Sequence, residues 1–232
     1  MFVIIAQETG LSSENPVVFL GIFGMIKMMK TNPNFDFELA QSGIVAGVDE
    51  AGRGPLCGPV VAGAVIFMDK NIEIPVIIRD SKQMTVAQRD AAYDWITHNT
   101  IWATGQCSPA EIDELNILWA SMRAMERAVA NLTRTPDFCL IDGNRVPAGL
   151  RGAAVVKGDA KSLSIAAASI IAKVTRDRLM RELAQKYPEY NWEKNAGYPT
   201  PEHLRAIEKY GINEHYRKSF GPVKRIIDKK GV

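Results

Sequence analysis

The chain has 232 residues, of which 47% are hydrophobic and 23% charged, as in a globular protein with one sizeable core. No internal repeat or low-complexity tract is present, which excludes a repeat architecture. The net charge of +2 says little about partners, but residues 161–232 carry 15 basic and 8 acidic side chains, against 13 and 18 in residues 1–160. This uneven distribution of charge suits a protein that binds phosphate with one part and cations with the other, although a solvated helical surface would explain it equally well.

The three cysteines, Cys57, Cys107 and Cys139, are widely separated and odd in number, and no CxxC pair occurs. Disulfide bonds and a structural zinc site are therefore not expected. Such cysteine usage fits a reducing compartment, so the expected location is cytoplasmic.

Residues 1–42 are interpreted as an N-terminal extension, either disordered or an artefact of the assigned start, because Met25, Met28 and Met29 offer later starts. The apolar run at 17–26 is too short to span a bilayer. Basic residues follow this run instead of preceding it, unlike those of a secretory signal, so no association with a membrane is expected.

Apolar runs and turn residues predict the elements that follow in chain order. Two antiparallel strands at 44–48 and 59–67 flank an irregular turn at 52–55 that is rich in glycine and proline. Further strands are predicted at 101–106, 138–141 and 153–156, and helices at about 86–96, 109–132, 162–185 and 201–210. The order predicts an α/β fold, in which helices flank a mixed sheet and a helical appendage follows. The predicted boundaries are 1–42, 43–190 and 191–232.

Acidic residues stand at the ends of three predicted strands or loops: Asp49-Glu50, Asp142 and Asp159. Taken singly, each acid is more simply a turn residue or helix cap, and Asp159 could cap the helix that follows it. Together they would repel one another unless cations neutralised them, and oxygen ligands select Mg²⁺ or Mn²⁺. Neighbours on a regular strand point to opposite faces. Asp49 and Glu50 can therefore share a site only if the strand bends or ends there, or if Glu50 contributes through its backbone.

Several motifs resemble those of the ribonuclease HII family. They are VDEAGRGPL at 48–56, GPVVAG at 58–63, DSK at 80–82, IDG at 141–143, KGDAKS at 157–162, IAAASIIAKV at 165–174, GYPT at 197–200 and RKSF at 217–220. They occur in the family's order across residues 43–225, which makes the resemblance far more specific than one short pattern.

The resemblance implies a ribonuclease H-like catalytic domain at 43–190, with a C-terminal helical substrate-binding region at 191–232. It implies an endonuclease that hydrolyses the RNA strand of RNA–DNA hybrids, and that also cuts at single ribonucleotides within duplex DNA. It further implies two divalent ions, Mn²⁺ or Mg²⁺, with Asp49, Glu50, Asp142 and Asp159 as their ligands and as the catalytic residues. The products would carry 5′-phosphate and 3′-hydroxyl ends.

Substrate contacts are implied in the same way. Gly52, Arg53 and Gly54 match the loop that senses the 2′-hydroxyl, although a tight turn requiring positive φ also explains the two glycines. Tyr198 matches a tyrosine that stacks at the RNA–DNA junction, and Lys82 a basic residue near the phosphate backbone.

Further cations lie just before or within the helix predicted at 162–185 and could contact phosphates: Lys161, Lys173, Arg176 and Arg178. Helix position alone favours plain solvation for the last two. His98, His203 and His215 are each interpreted as structural. We expect a monomer whose partners are RNA–DNA hybrids and DNA duplexes that contain ribonucleotides.

Two alternatives remain at this point. One is ribonuclease HIII, although about 40 residues are too few for the extra N-terminal domain usual in that family. The other is a catalytically dead nucleic-acid-binding module, which would be indicated by loss of a motif acid, but all four acids are present. A phosphate-binding NTPase loop is not expected, since no GxxxxGK[ST] motif occurs.

Overall fold

A mixed five-stranded sheet forms the centre of the computed structural model, which describes residues 32–230. Its strands are β1 (Val45–Ala51), β2 (Val60–Ile66), β3 (Ile101–Cys107), β4 (Phe138–Asp142) and β5 (Gly152–Val155). They lie in the order β3-β2-β1-β4-β5. Strand β2 runs antiparallel to both β1 and β3, whereas β1, β4 and β5 are mutually parallel. The predicted mixed sheet is therefore confirmed.

Helices cover both faces of this sheet. They are α1 (Asp36–Leu39), α2 (Val86–Asn99), α3 (Pro109–Ala130), α4 (Leu163–Lys186), α5 (Trp192–Asn195), α6 (Pro201–Tyr210) and α7 (Gly221–Lys230). Helix α3 packs on one face, and α2 and α4 build the core on the other. Capping boxes at Thr85 and Ser108 begin α2 and α3. No helix within residues 32–230 is long and apolar enough to cross a membrane.

Two strand glycines explain how closely α4 lies against the sheet. A Cβ atom at Gly47 would collide with the backbone of Ser164 and Ile165, and one at Gly63 with the backbone oxygen of Ala168. Because glycine removes these obstacles, the first half of α4 is buried along β1 and β2, as its apolar sequence predicts. This packing sets the position of the segment just before α4, which carries Asp159.

Helix α3 differs from the uninterrupted helix predicted for this segment. Asn116 adopts φ 62° and ψ 164°, which breaks the helix into two parts. Its Oδ1 atom accepts hydrogen bonds from the backbone N–H groups of Leu118 and Trp119, and so caps the second part. Apolar residues are buried on both sides of the break, with Ile112 and Met125 fully buried.

The C-terminal helices form a small core of their own. Trp192 is fully buried at its centre, stacked on Tyr190, and Tyr216 packs against both. Leu56 and Cys57, from the turn after β1, belong to the same cluster. The predicted C-terminal appendage is thus packed directly on the turn at 52–58.

Most of the predicted N-terminal extension, residues 1–31, lies outside the described residues. Residues 32–42 are described, and they contact the remainder of the fold. Asn34 forms a parallel bridge with Ser162, and Glu38 is buried. The domain boundaries at 42 and 190 stay predictions.

Candidate active site

The carboxyl ends of β1 and β4 lie side by side at one edge of the sheet. The two strands are parallel, and their last paired residues are Val48 and Ile141. Asp49 and Asp142 each come directly after these residues, so the register places the two acids on neighbouring strands at the same edge. Functional groups gather at such edges in α/β proteins.

Asp49 is nearly inaccessible to solvent, with 6% of its surface exposed. Its Oδ1 atom accepts a 2.6 Å hydrogen bond from the backbone N–H of Glu50. Burial raises its pKa well above the usual value, and the nearby charges of Glu50, Asp142 and Asp159 raise it further. All four acids predicted from the sequence therefore act on one another electrostatically.

Glu50 reaches the same cavity as Asp49, although β1 continues one residue beyond it, to Ala51. Its Oε1 atom accepts a 3.2 Å hydrogen bond from Arg53. Burial raises the pKa of Glu50, as does Asp142, whereas Arg53 and Lys82 lower it. The side chain itself lies in the site, so a contribution through the backbone alone is not required.

Asp142 is oriented by the loop that precedes α4. Its Oδ1 atom accepts a 2.7 Å hydrogen bond from the backbone N–H of Gly158, one residue before Asp159. Burial raises the pKa of Asp159, followed by the charges of Asp142 and Asp80, and Lys82 opposes the shift. Asp142 couples to the acids that line the cavity, but it is not itself part of the lining.

A cavity of about 360 Å³ lies between these acids and the turn after β1. It is lined by Asp49, Glu50, Ala51, Gly52, Arg53, Gly54, Asp80, Ser81, Lys82, Asp159, Lys173, Arg176 and Tyr198. Asp80 had no predicted role beyond its place in the DSK motif. Its side chain caps the 3₁₀ turn Ser81–Gln83 by accepting the N–H of Lys82, and the turn places Lys82 beside the acids.

A second cavity of about 370 Å³ contains an acid in a different electrostatic environment. Glu111 lines it, but its carboxylate forms a 2.7 Å ion pair with Arg127, whose hydrogen bond lowers the pKa of Glu111 to about 2. Such an acid is neutralised within the protein. Asp49 has its pKa shifted in the opposite direction, and it lies among like charges, which is the state expected of a group that binds a cation.

The turn after β1 also lines the acidic cavity. Gly52 has φ +99°, so the alternative explanation of positive φ holds for this residue. Gly54 does not have positive φ, but a Cβ added there would lie 3.4 Å from the ring of Tyr198. Tyr198 is 44% exposed and lies beside this glycine, with its ring at the cavity.

The side chains predicted to contact phosphate differ in whether they line the cavity. Lys82 and Lys173 line the cavity, whereas the exposed Lys161 does not. Arg176 also borders the cavity, but the expectation that its side chain is solvated is wrong, because it is 1% exposed and its guanidinium donates to backbone oxygens. Arg178 is exposed, with its guanidinium 4.3 Å from the centre of the Tyr93 ring.

The donor set fits hard divalent cations by its chemistry and charge. It consists of carboxylate oxygens, which favour Mg²⁺ or Mn²⁺, and its mutual repulsion would be relieved by positive charge. Within residues 32–230, no three His, Cys, Asp or Glu side chains are already arranged around one point that could hold a metal ion.

The order of the sheet and the acids at its edge define a nuclease of the ribonuclease H type. A family model described as Ribonuclease HII matches residues 46–222. The chain belongs to the ribonuclease HII family. It is accordingly a ribonuclease H endonuclease that acts on RNA–DNA hybrids, and neither alternative weighed from the sequence is supported.

Two relatives and one solved structure are similar to this chain over most of their length. Ribonuclease HII of Ruegeria pomeroyi is 53% identical over 203 residues, which cover 85% of this chain and 86% of the relative. Ribonuclease HII of Magnetococcus marinus is 57% identical over 187 residues, covering 79% and 87%. The crystal structure of ribonuclease H2 from Pyrococcus horikoshii OT3 superposes with a TM-score of 0.70 at 31% identity, covering 80% of this chain and 98% of that one.

Proposed function

We propose that this endonuclease cuts at single ribonucleotides embedded in duplex DNA as well as within RNA–DNA hybrids, and that it leaves 5′-phosphate and 3′-hydroxyl ends. One observation carries the proposal. The buried Asp49 and the partly buried Glu50 and Asp159 share a cavity with the glycine turn and Tyr198. Groups suited to bind cations therefore lie beside groups suited to recognise one sugar.

Asp49, Glu50, Asp142 and Asp159 are the proposed ligands of Mn²⁺ or Mg²⁺ and the catalytic residues. When bound, two such cations supply an activated water and stabilise the leaving 3′-oxygen. The hydrogen bonds from Glu50 N–H to Asp49 and from Gly158 N–H to Asp142 each hold one carboxylate oxygen in place. This arrangement orients the acids before substrate arrives.

The substrate contacts are proposals of the same kind. Gly52, Arg53 and Gly54 bring the backbone close to the 2′-hydroxyl, because no side chain intervenes at the two glycines. Tyr198 offers a flat, exposed ring for stacking. Lys82 lies beside the acids, where it would meet a phosphate, and Lys161 would contact the backbone farther away. A monomeric state and a cytoplasmic location stay predictions.

The decisive test compares three duplexes of one sequence: all DNA, DNA with one ribonucleotide, and an RNA–DNA hybrid. With Mn²⁺ or Mg²⁺, we expect cleavage of the second and third duplexes only, and none in the presence of a chelator. Direct extension of the cut strand by a DNA polymerase shows that its end is a free 3′-hydroxyl. Failure to cut the duplex with one ribonucleotide, while the hybrid is cut, would refute the proposal.

A matched pair of variants tests the ligands. Asp49→Asn should abolish cleavage while binding of the duplex persists, because the shape of the site is kept and a charged ligand is lost. Asp94→Asn, at an exposed acid on α2 that does not line the cavity, should cleave as the unaltered chain does. Retained cleavage in Asp49→Asn would exclude this ligand set.

A further inference from the structure

Arg217 is a fully buried arginine whose guanidinium donates its hydrogen bonds to the backbone of one turn. Its guanidinium makes five hydrogen bonds of 2.7–3.1 Å to backbone oxygens. The acceptors are Gly52, Arg53, Pro55 and, twice, Gly58. A guanidinium has five N–H donors, so the turn at 52–58 satisfies all of them.

No carboxylate pairs with this buried cation among the ion pairs of residues 32–230. Burial lowers the pKa of Arg217 to about 9, and the neighbouring charge of Arg176 adds to the effect. Desolvating a charge is costly, and the five hydrogen bonds to backbone oxygens offset that cost. The same bonds also fix the orientation of the oxygens that accept them.

The hydrogen bonds of Arg217 determine which way the peptide groups of the turn face. In a planar trans peptide, the N–H points opposite to the C=O. The backbone oxygens of Gly52 and Arg53 face Arg217, so the N–H groups of Arg53 and Gly54 are directed away from it. Residues 52–54 line the acidic cavity, which places two consecutive donors on a surface that a sugar or phosphate oxygen could approach.

Arg176 holds the other end of the same turn. It donates to the backbone oxygens of Cys57 and Pro59 at 3.1 and 3.0 Å. A third hydrogen bond of 3.1 Å goes to the oxygen of Ala196, two residues before Tyr198. A Cβ at Gly52 would collide with the Arg176 side chain, which explains why glycine is needed there. Arg176 thus joins the turn to the segment that carries Tyr198.

Asp113 of α3 anchors the segment that carries Arg217. Its carboxylate accepts 2.8 Å hydrogen bonds from the backbone N–H groups of Lys218 and Ser219, and one of 2.6 Å from the Ser219 hydroxyl. Asp113 does not line the acidic cavity. It offers a way to loosen Arg217 without removing a buried charge.

We infer that Arg217 is a positioning residue for ribonucleotide recognition, which locks the oxygens of the turn inward so that the N–H groups of Arg53 and Gly54 face the cavity. The inference rests on the proposed function, since it assigns to this turn the recognition of the ribose. Arg217 touches no substrate itself. Its loss should weaken the preference for a ribonucleotide and leave general affinity for duplex DNA intact.

The test uses Arg217→Lys, because lysine keeps the charge but has three donors and cannot bridge four oxygens. Two constants are measured at a temperature below unfolding: KM for a duplex with one ribonucleotide, and Ki for the all-DNA duplex as competitor. Neither constant depends on the fraction of folded enzyme. KM should rise about tenfold, the effect of losing one well-placed hydrogen bond, while Ki stays within about twofold.

Asp113→Asn provides a second variant should Arg217→Lys not fold, and it should shift KM in the same direction by a smaller factor. Arg127→Lys is the matched control, since Arg127 also donates to a backbone oxygen, that of Gln106, but lines the other cavity. Its KM and Ki should both stay unchanged.

An unchanged KM in Arg217→Lys, or equal rises in KM and Ki, would overturn the inference. If the unaltered chain cut hybrids but did not cut the duplex with one ribonucleotide, the proposed function itself would fall, and the inference with it.

Discussion

The Nδ1 atom of His203 lies 2.8 Å from the backbone oxygen of Tyr198, so a buried imidazole holds the segment that carries the proposed stacking ring. On its other side, Nε2 accepts a 3.1 Å hydrogen bond from the indole N–H of Trp192. An indole can only donate, so Nε2 carries no proton and Nδ1 must be the donor to Tyr198. The hydrogen bonds therefore require a neutral histidine.

Protonation of His203 should destabilise the protein at mildly acidic pH. Burial lowers the pKa of His203 below 6.5, so the unfolded state binds the proton more readily, and stability falls as pH drops below about 6.5. His203→Gln cannot titrate there and still offers a donor and an acceptor. Urea unfolding between about pH 5 and 7.5 should give a shallower decline for this variant. Parallel curves would contradict the assignment, because every other titrating group is common to both proteins.

Asp49→Asn should make the protein more stable while removing its activity. The pKa of Asp49 is raised by burial and by neighbouring acids, so at neutral pH its charge opposes folding. Asparagine keeps an oxygen for the N–H of Glu50 and removes that charge. In the presence of chelator, this change should stabilise the protein by roughly 1–3 kcal/mol. Thermal unfolding in chelator measures the gain. Added Mn²⁺ should then stabilise the original chain more than the variant, and equal stabilisation would count against Asp49 as a ligand.

Lys82→Ala should lower the salt dependence of duplex binding. Lys82 lowers the pKa of both Glu50 and Asp159, so its charge lies where a phosphate must pass near the acids. Removing one phosphate contact should reduce the slope of log affinity against log salt by about one. Arg134→Ala is the control, at an exposed cation in the loop before β4, at the other edge of the sheet. Equal slopes in the two variants would contradict a phosphate contact at Lys82.

The strands could be predicted because they depend on local patterns, whereas the convergence of the acids was implied only by the family resemblance, because it depends on how distant strands pair. Apolar runs ending in acid indicate β1 and β4, and parallel strands bring their carboxyl ends to one edge. The break at Asn116 could not be predicted, because the apolar spacing of α3 continues across it and its backbone angles are not written in that pattern.

The buried arginines could not be interpreted from sequence for a different reason. Arg217 lies 159 to 165 residues from its acceptors, and Arg176 lies up to 119 residues from its own. Helical position suggested solvent or phosphate for Arg176, because periodicity describes the faces of one helix and not what packs against them. Contacts between distant segments appear only once the chain is folded.

Tyr198→Ala should weaken binding to a ribonucleotide-containing duplex, whereas Tyr198→Phe should not. The ring is exposed at the cavity, beside Gly54, and stacking on one sugar or base contributes roughly 1–3 kcal/mol. Kinetic measurement of KM should therefore show about a tenfold rise for alanine and little change for phenylalanine. Tyr210→Ala removes a similarly exposed ring, 51% accessible, that does not line the cavity. A rise in KM for Tyr210→Ala as large as that for Tyr198→Ala would show that the effect is not specific to stacking.

Glu38→Ala should loosen the loop that carries Asp159, although Glu38 precedes the residues matched by the family model. Its Oε1 atom accepts hydrogen bonds from the Ser162 hydroxyl and from the N–H and hydroxyl of Ser164, at the start of α4. Alanine leaves these buried donors without an acceptor, at a cost of roughly 1–3 kcal/mol, so unfolding should occur at lower urea. Glu38→Gln retains the accepting oxygen and should lose less. If both variants matched the unaltered chain in stability, residues 32–42 would not support the site.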